Sequence, residues 1–260
     1  MYLAKSIAAS GLRNQTMRID TIAHNISNTN THGYKNARLD FKDSLYTNGI
    51  TPGPARNPQE NQQKGHGLMS HGITRDFKPG IIERTERDLD FAIEGEGFFA
   101  FSNPAGGVFY GRNGVFHRSV EANGTFLVNG QGLYVLDVNE NRIEIPFGTS
   151  TIASDVDGTL RFLDGNNNDL GGGATIGMFT FRNLKGLESS GNSMFSETPA
   201  SGERRPAENV VLRQGVLEGS NVNLGDEMTR IIRTQRAFQL SSRALTTADE
   251  MEGIANNMRR

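Results

Sequence analysis

The stretch Ile22-Ala23-His24-Asn25-Ile26-Ser27-Asn28-Thr29-Asn30-Thr31-His32-Gly33-Tyr34-Lys35 decides the fold, because it ends an amphipathic helix and begins a different kind of chain. Upstream, Ala4, Ala8, Leu12, Ile19, Ile22 and Ile26 recur at steps of three and four, with Gln15 filling one slot, so they align on one helix face. Asn and Thr then bond their own backbone in non-helical conformations, and Gly33 accepts the left-handed geometry common at a helix end. Tyr34 and Lys35 restart the chain elsewhere. A second stripe, Leu3, Ile7, Ser10, Asn14 and Met17, lines the same helix and is weakly apolar. A helix of about 25 residues is about 40 Å long and takes its stability from packing, so this one needs partners.

The far end of the chain answers it. Ser220-Asn221-Val222-Asn223 carries a capping signal, and Asp226 and Glu227 follow where a helix start favours negative charge. A helix is predicted from there to about Met258. One stripe runs through Leu224, Met228, Ile231, Phe238 and Leu245, and another through Ala237, Leu240, Ala244, Ala248, Met251, Ala255 and Met258. A single N-terminal helix covers only one of these. The other pairs with neighbouring chains, or the isolated subunit leaves its ends unfolded; a plain intramolecular coiled-coil stalk is the alternative.

Between the ends the period changes to two. Leu89, Phe91 and Ile93 alternate with Asp90, Ala92 and Glu94, and Phe98-Phe99-Ala100-Phe101 reads as a buried strand. Short strands follow as far as Phe181, punctuated by Asn113-Gly114, Asn123-Gly124, Asn129-Gly130 and Asp157-Gly158, dipeptides suited to turns with positive φ. This is an all-β domain, a sandwich or barrel. Residues 186–213 are polar and irregular, with Val210-Val211-Leu212 a last strand candidate. Residues 48–72, rich in Gly, Pro, Asn and Gln, cannot bury enough surface to offset their ordering entropy and read as a linker or a functional loop. The fold class expected is therefore α+β, with helical ends around an inserted all-β domain.

Composition narrows the function. The 260 residues carry a net charge of −2, and the basic residues are scattered, which leaves no footprint for binding nucleic acid. The absence of cysteine excludes disulfides, thiolate metal sites and cysteine nucleophiles. No apolar run approaches the ~20 residues of a membrane span, and the N-terminus lacks the flank, core and cleavage site of a secretory signal.

Motifs of catalysis or metal binding fare poorly. Asp155 and Asp157, in Ser154-Asp155-Val156-Asp157-Gly158-Thr159, are spaced like the aspartates of a phosphatase loop, but they lie among hairpins and suit a turn. The segment from Asp164 to Asp169 has oxygens at calcium-loop spacing, yet Asp169 stands where Gly is needed and Thr175 where a Glu is needed. Gly95-Glu96-Gly97 precedes aromatics and not a helix, so it is no dinucleotide fingerprint. The five histidines include no helical i,i+4 pair. No catalytic, metal or cofactor residues are expected, and no small-molecule substrate; a phosphatase-like enzyme using Asp155 and Asp157 is the rival.

Three segments resemble the rod and hook family of the bacterial flagellum, together spanning nearly the whole chain. Ile22 to Lys35 is similar to that family's N-terminal signature, although His24 stands where Asn is common. Leu89-Asp90-Phe91-Ala92-Ile93-Glu94-Gly95-Glu96-Gly97-Phe98-Phe99 resembles its strand-turn-strand, and Ser220-Asn221-Val222-Asn223 with Thr234-Gln235-Arg236-Ala237-Phe238-Gln239 its C-terminal helix. The resemblance implies a structural subunit of the basal-body rod, at its distal section, with a proximal rod subunit or a rod-like paralogue of the same family as the alternative, exported by the flagellar apparatus without a cleavable signal peptide and resident in the cell envelope. It implies a homopolymer that meets other rod and hook proteins and, in a Gram-negative cell, periplasmic and outer-membrane ring proteins. The division implied is residues 1–34 with 220–260 as an inner coiled-coil domain lining a channel, 35–75 as a connector, and 76–219 as an outer β domain. The assembly residues implied are Leu12, Ile19, Ile22, Asn25, Ile26, Asn28, Gly33, Tyr34, Leu224, Met228, Ile231, Phe238, Leu245 and Met251. Pro52, Pro54 and Pro58 fall in a segment that, by resemblance, wedges between subunits.

Overall fold

The computed structural model describes residues 2–44, 46–48, 63–65, 67–208 and 210–258. The fold is α+β. The chain forms two compact units, one of Met1–Ser27, Ala37–Arg75 and Asn223–Arg260, the other of Asn28–Asn36 and Asp76–Val222.

In the first unit, helix α1 (Tyr2–Ser27) packs along helix α2 (Leu224–Asn257). The start of α2 follows from its cap: the Asn223 side chain accepts the amides of Gly225 (3.0 Å) and Asp226 (3.3 Å). Its inward residues, Glu227, Ile231, Thr234, Ser241, Leu245, Ala248 and Glu252, recur at steps of three, four and seven. On α1 the buried side chains are Asn14, Ile22 and Asn25. No helix among the described residues is long and apolar enough to cross a membrane.

Two antiparallel pairs, Ala37–Asp43 with Leu68–Arg75 and Tyr46–Asn48 with Gln63–Gly65, belong to the same unit. Ala37 and Leu39 are buried and Arg38 is exposed, the alternation of a half-covered strand. The structure thereby differs from the sequence reading in two places. Residues 37–43 and 68–75 form a sheet where a connector was expected, and residues 28–36 cluster with the β unit and not with the helices. Ala37, Leu39 and Phe41 alternate with Arg38, Asp40 and Lys42, but Leu68–Arg75 carries no matching alternation, so periodicity alone does not pair the two segments. The side chain of Asn14 adds to the ladder by donating to the Leu68 carbonyl at 2.8 Å.

The second unit is built on the strand Phe98–Ser102, buried at every position. It pairs antiparallel with Val108–Gly111, Tyr134–Val135 and Met178–Phe181 in a ten-stranded sheet. Successive side chains enter opposite clusters. Phe99 and Phe101 join Phe91 and Phe116 in one, where Phe99 and Phe116 meet edge to face at 5.2 Å. Phe98 and Ala100 face Tyr110, Phe179, Phe181 and Phe195 in the other. Each fully buried Phe stabilises by about 1.5–3 kcal/mol, so this one strand anchors both cores. A three-stranded sheet, Thr151–Ser154, Thr159–Leu163 and Ala174–Thr175, adds Ile152, Leu160 and Phe162 to the first cluster.

Not every Asn-Gly pair acts as the sequence implied. Gly158 takes a φ of 87°, but Gly114 has no positive φ; a Cβ there would lie 1.8 Å from the Phe91 carbonyl oxygen. Close backbone approach demands that glycine.

Candidate assembly surface

The seam between α1 and α2 is polar. Asn25 accepts the Ala37 amide at 3.0 Å and donates to the Ala37 carbonyl at 2.8 Å and to Glu227 at 3.3 Å. The buried Glu227 carboxylate also accepts from Arg230 at 2.8 Å. Near the chain ends, Lys5 bridges Asp249 (2.6 Å) and Glu252, whose carboxylates raise the ammonium above its ordinary pKa. Such a seam fixes register but buries little apolar area.

The large apolar residues of α2 lie elsewhere. Leu224, Met228, Phe238 and Met251, all expected at the assembly interface, are exposed, as are Ile232, Leu240 and Ile254; Ile231 and Leu245 turn partly inward. The stripe read as continuous from Leu224 to Leu245 is thus divided between the intramolecular seam and an open face. On α1, Ile22 and Asn25 are buried and Leu12, Ile19 and Ile26 partly buried. Pro52, Pro54 and Pro58 lie outside the described residues.

Asn28, partly buried, and Gly33 and Tyr34, both buried, belong to the β unit. Gly33 has a φ of 69°, and a Cβ on it would lie 2.5 Å from the Asn113 nitrogen. Its amide donates to the Glu218 carbonyl at 2.7 Å. Next to it lies a cluster of charges that are far apart in the chain. The buried Glu218 carboxylate accepts from Lys35 (2.6 Å), the Gly80 amide (2.8 Å) and Arg112 (3.1 Å). Lys35 also donates to the Lys78 carbonyl at 2.7 Å, and Arg112 to the carbonyls of Ile93 (3.2 Å) and Gly95 (2.6 Å). Burial pushes the Lys35 ammonium below the usual 10.5, and the attraction of Glu218 offsets only part of this.

Chemical alternatives find no support in the geometry. Asp155 and Asp157 sit at the hairpin between Thr151–Ser154 and Thr159–Leu163, where Asp155 pairs with Arg161. Among the described residues no three His, Cys, Asp or Glu side chains converge as metal ligands. A groove of about 750 Å³ in the β unit is lined by Arg84, Glu86, Arg87, Asp88 and Arg213, with no serine, threonine, cysteine or histidine among its lining residues.

The chain matches known proteins over the same segments. Residues 6–35 match the family model described as "Flagella basal body rod protein", residues 92–162 "Flagellar hook protein FlgE/F/G D1 domain", and residues 213–258 "Flagellar basal body rod FlgEFG protein C-terminal". The chain is 34% identical to the flagellar basal-body rod protein FlgG of Bacillus subtilis, over 96% of this chain and 97% of the relative. The chain belongs to the flagellar basal-body rod protein family. To FlgG of Borreliella burgdorferi it is 37% identical over the full length of both. To the flagellar hook-basal body complex protein FlhP of B. subtilis it is 34% identical, over 99% of this chain and 100% of the relative. As a rod-family chain it is a structural subunit, and the polar seam and open α2 face are features of that subunit.

Proposed function

We propose that this chain is the distal rod subunit of the flagellar basal body. Copies polymerise through the helical unit into a rigid tube that carries torque from motor to hook and leaves a central channel for export. The terminal helices pair as a coiled coil around that channel, and the inserted β domain stands outside it. Head-to-tail contacts whose rotation does not close a ring generate such a tube. The subunit reaches its place by the flagellar export apparatus. It adjoins rod and hook proteins and, in a Gram-negative envelope, periplasmic and outer-membrane ring proteins. It catalyses nothing. The observation that carries the reading is the open apolar face of α2 on a chain alignable end to end with FlgG.

Deleting the gene should leave basal bodies with an incomplete rod, and the gene in trans should restore it; complete rods in the deletion strain overturn the reading. A second reading, a paralogue in the hook-basal body complex, draws on the 34% identity to FlhP, equal to that to B. subtilis FlgG. It predicts complete rods and defective hooks.

A further inference from the structure

The exposed apolar residues of α2 follow one line. Leu224, Met228, Ile232, Arg236 and Leu240 are spaced by four, which makes them a single i±4 ridge, and its apolar members are between 44% and 65% exposed. Nothing within the described chain covers this ridge. Elsewhere in the same unit lies a groove of about 420 Å³. Its α1 wall consists of Met17 with Thr21 and Asp20 with His24, two parallel i±4 rows with a furrow between them, and Ala37, Leu39, Ile73 and Arg75 line it from the strand pair. Met17 is 40% exposed and Ile73 61%. Ridge and furrow thus share one spacing, as 4-4 helix packing requires. On the α1 wall they also match in charge at one position. Asp20 is an exposed carboxylate with no ion-pair partner among the described residues, and Arg236 is an exposed guanidinium in the same condition.

We infer that the Leu224–Met228–Ile232–Leu240 ridge of one copy seats in the α1 groove of a second copy, with Arg236 opposite Asp20. The inference rests on the polymer reading above and gives that polymer a specific contact. The contact is heterologous, since ridge and groove are different surfaces, so every copy offers one and accepts one. The apolar ridge supplies area, and the charge pair sets register and direction along the helix.

The chain has no cysteine, which makes the contact accessible to thiol chemistry. Asp20→Cys and Arg236→Cys chains, co-expressed in one cell, should be joined as dimers by a short bis-maleimide in isolated rods, and neither variant expressed alone should be. Rods that assemble and give no mixed dimer overturn the inference while leaving the rod assignment intact. Should the cysteine variants not assemble, charge reversal decides: Asp20→Arg should abolish swimming, and Asp20→Arg with Arg236→Asp should restore it. Swimming by the single variant, or no recovery in the pair, overturns the contact. If the wild-type gene itself fails to restore rods in its deletion strain, the fault lies with the rod assignment instead.

Discussion

Replacing Glu218 by Gln keeps the shape of the buried side chain and removes the charge that balances Lys35 and Arg112. Both cations then remain in the β unit beside the carbonyls of Lys78, Ile93 and Gly95 and a neutral amide, whose single oxygen replaces the two charged acceptors. Breaking one side of a buried ion pair costs about 3–5 kcal/mol. Lys35→Met is milder, because Glu218 keeps Arg112 and the Gly80 amide. It forfeits one hydrogen bond to a charged group, about 1.5–3 kcal/mol, less the desolvation the ammonium no longer suffers. In urea, with m of about 2 kcal/mol/M, the midpoint for the β unit should fall by about 1.5–2.5 M for Glu218→Gln and by about 1 M or less for Lys35→Met. Far-UV circular dichroism in the β band reads both. Equal shifts, or a larger one for Lys35→Met, would refute the view that Glu218 is the hub. The pH dependence has a definite sign. The folded pKa of Lys35 lies below 10.5, so the unfolded chain binds more protons in that interval. Wild-type stability should therefore gain a component as pH rises from the folded value toward 10.5, and Lys35→Met should lack it.

Phe238→Ala and Leu245→Ala should each cost the assembled state about 2–5 kcal/mol per subunit and abolish motility, with the β unit still folding; normal swimming by both would exclude these positions from the packed tube. Phe238, 36% exposed, should be the one that hardly alters the free chain. Limited proteolysis of the monomer should trim residues before about Asn28 and after about Val222 and spare a β core, because the seam holding the helices is polar; slow amide exchange at both ends would contradict this. Deleting residues 51–62, which spares the strand Gln63–Gly65, should leave monomer stability nearly unchanged, since loop length affects closure entropy weakly, but give curved or absent rods in electron micrographs; straight rods of normal stiffness would reduce the segment to a linker.

What the sequence disclosed depended on side-chain periodicity. The two helices, the Asn223 cap and the Phe98 strand all carry strong local signals, and all are present. The pair Ala37–Asp43 and Leu68–Arg75 is held by main-chain bonds between residues some thirty positions apart, and although Ala37, Leu39 and Phe41 alternate with Arg38, Asp40 and Lys42, the partner strand carries no such alternation. Lys35, Arg112 and Glu218 are ordinary charged residues in sequence, and only the fold brings them together and buries them. The α2 stripes were visible as apolar positions, but which of them face α1 depended on Glu227 and Thr234, polar residues that a hydrophobic pattern assigns to the outside.

The chain passes between its two units four times, at 27/28, 36/37, 75/76 and 222/223. Inside the β unit the side chain of Asn221 gathers three of these passages. Its oxygen accepts the Asn36 amide at 2.7 Å, its nitrogen donates to the carbonyls of Asp76 (2.8 Å) and Lys78 (3.0 Å), and its own backbone leads into the last passage. A pull applied to one unit is therefore divided among four covalent strands where a single hinge would carry all of it. Three of those strands are tied at a common knot, so strain on any one is shared with its neighbours before a peptide segment can peel away.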